Sequence, residues 1–185
     1  MTDAMVPMAP APLILRGRRF DAGRPAVMAI INRTNDSFYA AGRHADVDTA
    51  RRALDSAVAL GADIIDVGGV RAGQEGPVVT PKQEIGRVVP FLEHIRATHP
   101  EVIISLDTWR SEVAQAAAHC GVDLINDTWA GADPELVQVA ADIGAAVVCS
   151  HTGGLPPRTD PVAVSYPPEP LGIVADVLAT LQRGA

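Results

Sequence analysis

With 185 residues, 48% of them hydrophobic, the chain can bury one sizeable core and has the composition of a globular domain, not a disordered segment. Its 22 acidic and 15 basic residues give a formal charge of -7, which argues against a nucleic-acid surface, where Lys and Arg must cluster. The two cysteines, Cys120 and Cys149, lie in apolar stretches with neither disulfide nor zinc spacing, so they read as buried free thiols in a reducing cytoplasm, and no apolar run approaches the ~18 residues that span a membrane.

Residues 1–24 read as a lead-in that carries Asp3 and lacks the basic start of a signal peptide. The first expected strand is Val27–Ile31, which runs into the polar stretch from Asn32 to Phe38. Ala50, Ala53, Leu54, Ala57 and Val58 then recur at helical spacing and stop at Gly61. A second strand, Asp63–Val67, leads to Gly68-Gly69. Thr80-Pro81-Lys82-Gln83 reads as an N-cap, a proline at the first helical position and a capping-box partner. Ile85, Val88, Val89, Leu92 and Ile95 continue that helix. The pattern repeats: strand Val102–Leu106, a helix through Val113, Ala116, Ala117 and Cys120 ending at Gly121, and strand Asp123–Ile125. Asp133-Pro134 opens the next helix, Gly144 ends it, and strand Ala145–Cys149 follows. The segment from Thr152 to Pro170 holds six prolines and reads as a lid or a linker. A last helix is expected over Leu171–Gln182, with Ile173, Val174, Val177, Leu178 and Leu181 as its buried face.

Short strands that are apolar on both faces and alternate with helices predict a parallel α/β sheet covered by helices, about five β/α units in all. A Rossmann-like sheet and a β/α barrel both begin this way. The absence of G-x-G-x-x-G after the first strand weakens a dinucleotide site. Each strand ends in polar residues: Asn32, Asp66, Asp107-Thr108, Asn126-Asp127-Thr128 and Ser150-His151. In a barrel these positions meet at the C-terminal rim, where active sites lie. Asp and Asn after a strand are also good caps, and Asp127 and Thr108 suit that plainer role. Amides, carboxylates and an imidazole suit a polar heterocycle and a metal-bound phosphate; they do not make a nucleophile–base triad.

Met28-Ala29-Ile30-Ile31-Asn32-Arg33-Thr34-Asn35-Asp36-Ser37-Phe38 resembles the first signature of dihydropteroate synthases, an N-x-T-x-D-S-F loop. Gly61-Ala62-Asp63-Ile64-Ile65-Asp66-Val67-Gly68-Gly69 resembles the second, and the stretches around Asp107 and Asn126 are similar to the third and fourth strand motifs. The resemblance covers roughly residues 26–183. It implies a (β/α)8 barrel of TIM type, incomplete here, with 25–185 as a partial pterin-binding domain. It also implies a transferase of folate biosynthesis that joins a (dihydropterin)methyl diphosphate to p-aminobenzoate with Mg²⁺ and releases pyrophosphate. By resemblance Asn32 is the metal contact, Asp107 and Asn126 bind the pterin ring, and Asp66 supports them from beneath. Thr34, Asp36 and Ser37 belong to a loop that closes over the leaving group, while Arg71 and His151 are further substrate contacts. The implied partners are small molecules, with neither nucleic acid nor membrane, and a homodimer where the barrel is complete.

The sequence also departs from the family pattern. Val70-Arg71-Ala72-Gly73 stands where Glu-Ser-Thr-Arg-Pro-Gly is usual. Arg33 and Asn35 replace an apolar residue and a proline, a divergence similar to the second, atypical paralogue of actinobacteria. The later family motifs (Asp-Pro-Gly with Gly-Phe-Gly-Lys, Ser-Arg-Lys and Arg-x-His) are absent, so the fifth strand is expected to be an unpaired edge. These departures support an alternative, a non-catalytic or repurposed pterin-binding paralogue. A methyltetrahydrofolate-type methyltransferase fits less well, because the N-x-T-x-D-S-F loop disfavours it.

Overall fold

A computed structural model describes residues 11–34, 40–71, 77–159, 164–166 and 172–183. Two short strands, β1 (Leu13–Leu15) and β2 (Arg18–Phe20), pair antiparallel across Arg16-Gly17, both at positive φ. This hairpin lies inside what the sequence offered only as a lead-in. Five strand–helix units follow: β3 (Met28–Asn32) and α1 (Ala40–Ala59); β4 (Ile64–Gly68) and α2 (Pro81–Thr98); β5 (Ile103–Asp107) and α3 (Ser111–Ala117), extended by a 3₁₀ turn over Ala118–Cys120; β6 (Leu124–Asp127) and α4 (Glu135–Ile143); β7 (Ala146–Cys149) and α5 (Gly172–Arg183). Strands β3 to β7 form one parallel sheet in chain order, with β3 and β7 at its edges. The architecture is an incomplete β/α barrel.

The helix signals act as the sequence suggested. Thr80 Oγ1 accepts from the Gln83 amide at 3.3 Å, and Gln83 Oε1 accepts from the Thr80 amide at 2.9 Å, with Pro81 in the first turn. Gly61, Gly121 and Gly144 sit at φ 90°, 69° and 71°, the left-handed backbone that ends a helix. Asp133 does more than open α4. Its Oδ1 accepts from the Glu135 amide at 3.1 Å and its Oδ2 from the Ser111 amide at 2.8 Å, so it ties the starts of two helices.

Strand side chains alternate between two environments. Ile31, Ile65, Val67, Ile104, Leu106 and Ile125 face the helices and pack with Leu54, Val88, Leu92, Ile95 and Leu136 in the main core. The opposite face is the barrel interior. Its lower layer, Ile64 and Ile103, packs with Leu124 of the next row and is plugged by Leu15 and Phe20 of the hairpin. The acids at this end carry arginines: Asp63 pairs with Arg18 and Arg24, and Asp123 with Arg16 and Arg96.

Two expectations need correction. Ile173, Val174, Leu178 and Leu181 on α5 are exposed rather than buried, because β7 is the sheet's edge and no described strand lies beyond it to receive that face. Cys120 is buried, but Cys149 on the same edge strand is only half-buried. Among the described residues no helix is long and apolar enough to cross a membrane.

Candidate functional site

Parallel register places Asn32, Gly68, Asp107 and Asn126 side by side at the C-terminal ends of β3 to β6. One step deeper, on the same inner face, lie Ile30, Asp66, Ser105 and Leu124. The period of two along each strand produces both rows. A polar row therefore stands on a half-polar row, above an apolar plug.

Asp66 is 1% exposed. Its Oδ1 accepts from Ser105 Oγ at 2.5 Å and its Oδ2 from Asn126 Nδ2 at 3.3 Å. Asp107 Oδ1 accepts from Thr128 Oγ1 at 3.2 Å. A Cβ added to Gly68 would stand 3.0 Å from Asp107 Oδ2 and 3.4 Å from Asn32 Oδ1, so the glycine lets both side chains reach over it. Burial raises the Asp107 carboxyl to about 7, helped by the nearby Asp66 charge and opposed by the Thr128 bond. Burial also raises Asp66, against the bonds from Ser105 and Asn126. Two carboxylates in a poorly solvated bowl, held by hydroxyls and an amide, are placed to accept hydrogen bonds from a flat, donor-rich ring.

The other candidate residues lie elsewhere on the rim. Thr34 is half-buried just past β3, and Arg71 is exposed just past β4. Asp36 and Ser37 lie outside the described residues. His151 Nδ1 meets Thr180 Oγ1 at 3.1 Å, its Nε2 lies 3.0 Å from Tyr166 Oη and 3.2 Å from Asp176 Oδ2, and its ring stacks on Tyr166. These contacts tie His151 to α5 and the segment before it. Asp127 caps a turn, as its plainer reading had it, accepting from the Trp129 and Gly131 amides at 3.0 and 2.7 Å. Arg33, an unusual residue in the first loop, is buried with its guanidinium 5.2 Å from the centre of the Phe91 ring on α2.

Sequence reasoning missed two supports. Ser105 is two residues before Asp107 and so shares its face of the strand, a signal that period-two counting could have found. Glu84 is wholly buried, with Oε1 accepting from Thr108 Oγ1 at 2.7 Å and Oε2 paired with Arg110. It occupies the helical stripe of Val88, Phe91, Leu92 and Ile95, where an acid among apolar residues was itself the clue.

A model of pterin binding enzymes matches residues 28–180. The chain belongs to the pterin-binding enzyme family. The inactive dihydropteroate synthase 2 of Mycobacterium leprae is 51% identical over 172 residues, covering 93% of this chain and 59% of that protein. The solved dihydropteroate synthase of Yersinia pestis, in a sulfonamide drug complex, matches with a TM-score of 0.76 and 30% identity over 94% of this chain and 61% of its own. That of Anaplasma phagocytophilum, with bound 6-hydroxymethylpterin-monophosphate, gives 0.73 and 29% over 86% and 60%. This pterin-binding family member therefore spans about three fifths of the length of these relatives.

Proposed function

We propose that this chain recognises a pterin heterocycle at Asp66, Asp107 and Asn126 and that it does not condense it with p-aminobenzoate. The observation that carries the reading is the shared row of Asn32, Asp107 and Asn126 above Asp66, with the Asp66 carboxylate buried, the Asp107 carboxylate half-buried, and both held by neutral partners. Ring N–H groups of a pterin would donate to Asp107, and the Asn126 amide would bond another ring edge. A buried carboxylate left without such a donor is penalised, so the bowl discriminates for a donor-rich ring. The 51% identical relative is described as an inactive synthase, and Val70-Arg71 follows Gly69 in place of the usual Glu-Ser-Thr-Arg. Both support binding without condensation.

The donor set at Asn32 fits magnesium only in a particular way. Among the described residues no group of three or more His, Cys, Asp or Glu could form a metal cage. Mg²⁺ keeps most of its waters and commonly takes one or two protein oxygens together with substrate phosphates. The exposed Asn32 amide oxygen fits such an ion, carried in on a diphosphate. When bound, the ion would neutralise charge on that diphosphate. Asn32 would fix the diphosphate at the β3 side of the mouth, with Asp107 and Asn126 fixing the ring.

A second reading, the complete transferase reaction, draws support from the solved synthase that is 30% identical to this chain. One experiment separates the two readings. The purified chain is incubated with (dihydropterin)methyl diphosphate, Mg²⁺ and p-aminobenzoate, with ligand binding and dihydropteroate formation followed in parallel. Binding without product is the expected result, and product formation would establish the transferase. Asn32→Ala should weaken the diphosphate but spare the unphosphorylated pterin; equal loss for both ligands would remove Asn32 from the metal role.

A further inference from the structure

We propose that Glu84 is a positioning residue: this single buried carboxylate on α2 fixes backbone on two sides of the mouth, at Thr108–Arg110 directly after Asp107 and at Val79 just before α2. The proposal rests on the pterin reading only for what the mouth binds. The clamp itself is argued from the geometry.

Glu84 has no exposed surface. Its carboxylate accepts from the hydroxyl of Thr108, also fully buried and adjacent in sequence to Asp107, and pairs with the guanidinium of Arg110. Arg110 in turn donates from Nη2 to the Val79 carbonyl at 2.8 Å and from its own amide to Thr108 Oγ1 at 3.2 Å. One helical turn further along α2, Arg87 donates to the Gly69 carbonyl at 2.7 Å. The helix also presses directly on that turn: a Cβ on Gly69 would stand 3.0 Å from Glu84 Cγ and 2.9 Å from Val88 Cγ1. Thr108 and Arg110 thus meet on the carboxylate itself, Val79 is held through Arg110, and Gly69 packs on the stem of the same side chain.

Stability alone would favour a hydrocarbon at this position. Glu84 shares its stripe with Val88, Phe91, Leu92 and Ile95, and replacing a buried ion pair with well-packed apolar side chains is often neutral or stabilising. Burial raises the Glu84 carboxyl, with the Thr108 bond and the Arg110 charge opposing the rise. What leucine cannot supply is directional acceptance from a hydroxyl and a guanidinium at once. The network continues to the chain's two tryptophans: Arg110 lies 4.5 Å over the Trp109 ring, and Trp109 meets Trp129 edge-on at 6.3 Å. Glu84 therefore links α2 to the turns after β4, β5 and β6.

The test compares the whole chain with Glu84→Gln and with the near-isosteric Thr108→Val, which breaks the same contact from the other side and serves if Glu84→Gln does not fold. Amide hydrogen exchange is read at Val79, Trp109 and Arg110, with Ile65 and Ile104 inside the strands as reference. The expected result is exchange about tenfold faster at the three rim amides than any change at the strand amides, as for loss of a hydrogen bond to a charged group. Acceleration to the same extent at rim and strands, or none at all, would overturn the proposal and leave Glu84 a global stabiliser. In the same variants, affinity for dihydropterin should fall about tenfold; unchanged affinity with a loosened rim would also overturn the positioning role. A wild-type chain that binds no pterin refutes the pterin reading alone, and the exchange comparison still decides the clamp.

Discussion

The two ends of the barrel strands treat their acids differently. At the N-terminal end, Asp63 and Asp123 pair with Arg16, Arg18, Arg24 and Arg96 and also accept backbone amides from Val27 and Ile104. At the C-terminal end, Asp66 and Asp107 are held by Ser105, Asn126 and Thr128, all neutral, and both titrate above their ordinary range. Acids of the first kind fasten strands, hairpin and helices together. Acids of the second kind keep unused acceptor capacity inside a concave face, which folding alone does not require. The contrast follows the general division of a β/α barrel into a stabilising bottom and a chemical top.

The contrast predicts mutations that separate stability from binding. The largest effect is expected in the plug: Ile103→Ala, at a fully buried position packed with Phe20 and Leu15, should cost about 2–5 kcal/mol of unfolding free energy in urea titrations while the folded fraction keeps its pterin affinity. A comparable loss, about 3 kcal/mol, is expected for Arg96→Met, which leaves the Asp123 carboxylate and the carbonyls of Pro100, Val102, Cys120 and Gly121 without their shared donor. Either variant losing affinity in proportion to stability would blur the division between the two ends.

Asp107→Asn should behave in the opposite way. The folded-state carboxyl is raised to about 7 from an ordinary value of 3.8, so the native chain holds this proton more tightly than the unfolded chain. That contribution to stability is complete below about pH 4 and is lost as pH rises through 7. Asp66 and Glu84 are raised in the same direction. The wild-type melting temperature should therefore fall between pH 5 and pH 8, by the linkage relation, and Asp107→Asn should flatten part of that fall. A variant that melts lower than wild type at pH 8 would contradict this. The smallest effect is expected at Thr80→Ala, which removes the α2 cap for about 1 kcal/mol and should leave the mouth untouched.

Much of this arrangement is legible in the sequence alone. Parallel strands with continuous apolar runs, glycine stops at 61, 121 and 144, and the Thr80–Gln83 cap fixed the order of elements, because each is a local signal. Asn32, Asp107 and Asn126 stood out as polar residues at strand ends, and parallel register aligns strand ends with one another. What stayed hidden depends on contacts between distant segments. The hairpin around Arg16-Gly17 has strands of three residues, too short for periodicity to show, and is held by packing on Ile64, Ile103 and Leu124. Glu84 stands out as an acid in an apolar stripe, but its partners, Thr108 and Arg110, are more than twenty residues away and no local pattern names them. The apolar stripe of α5 was read correctly as a stripe, but periodicity does not say whether a neighbour covers it, and here Ile173, Val174, Leu178 and Leu181 face solvent.

The most direct test of the account is a calorimetric titration of dihydropterin into the wild-type chain and into Asp107→Asn at pH 8, where the native carboxylate is ionised. The account predicts saturable binding by the wild type and a loss of about tenfold or more in the variant, with both proteins melting cooperatively. Equal affinity in the two, or no binding by a cooperatively folded wild type, would contradict the claim that this rim is a pterin site.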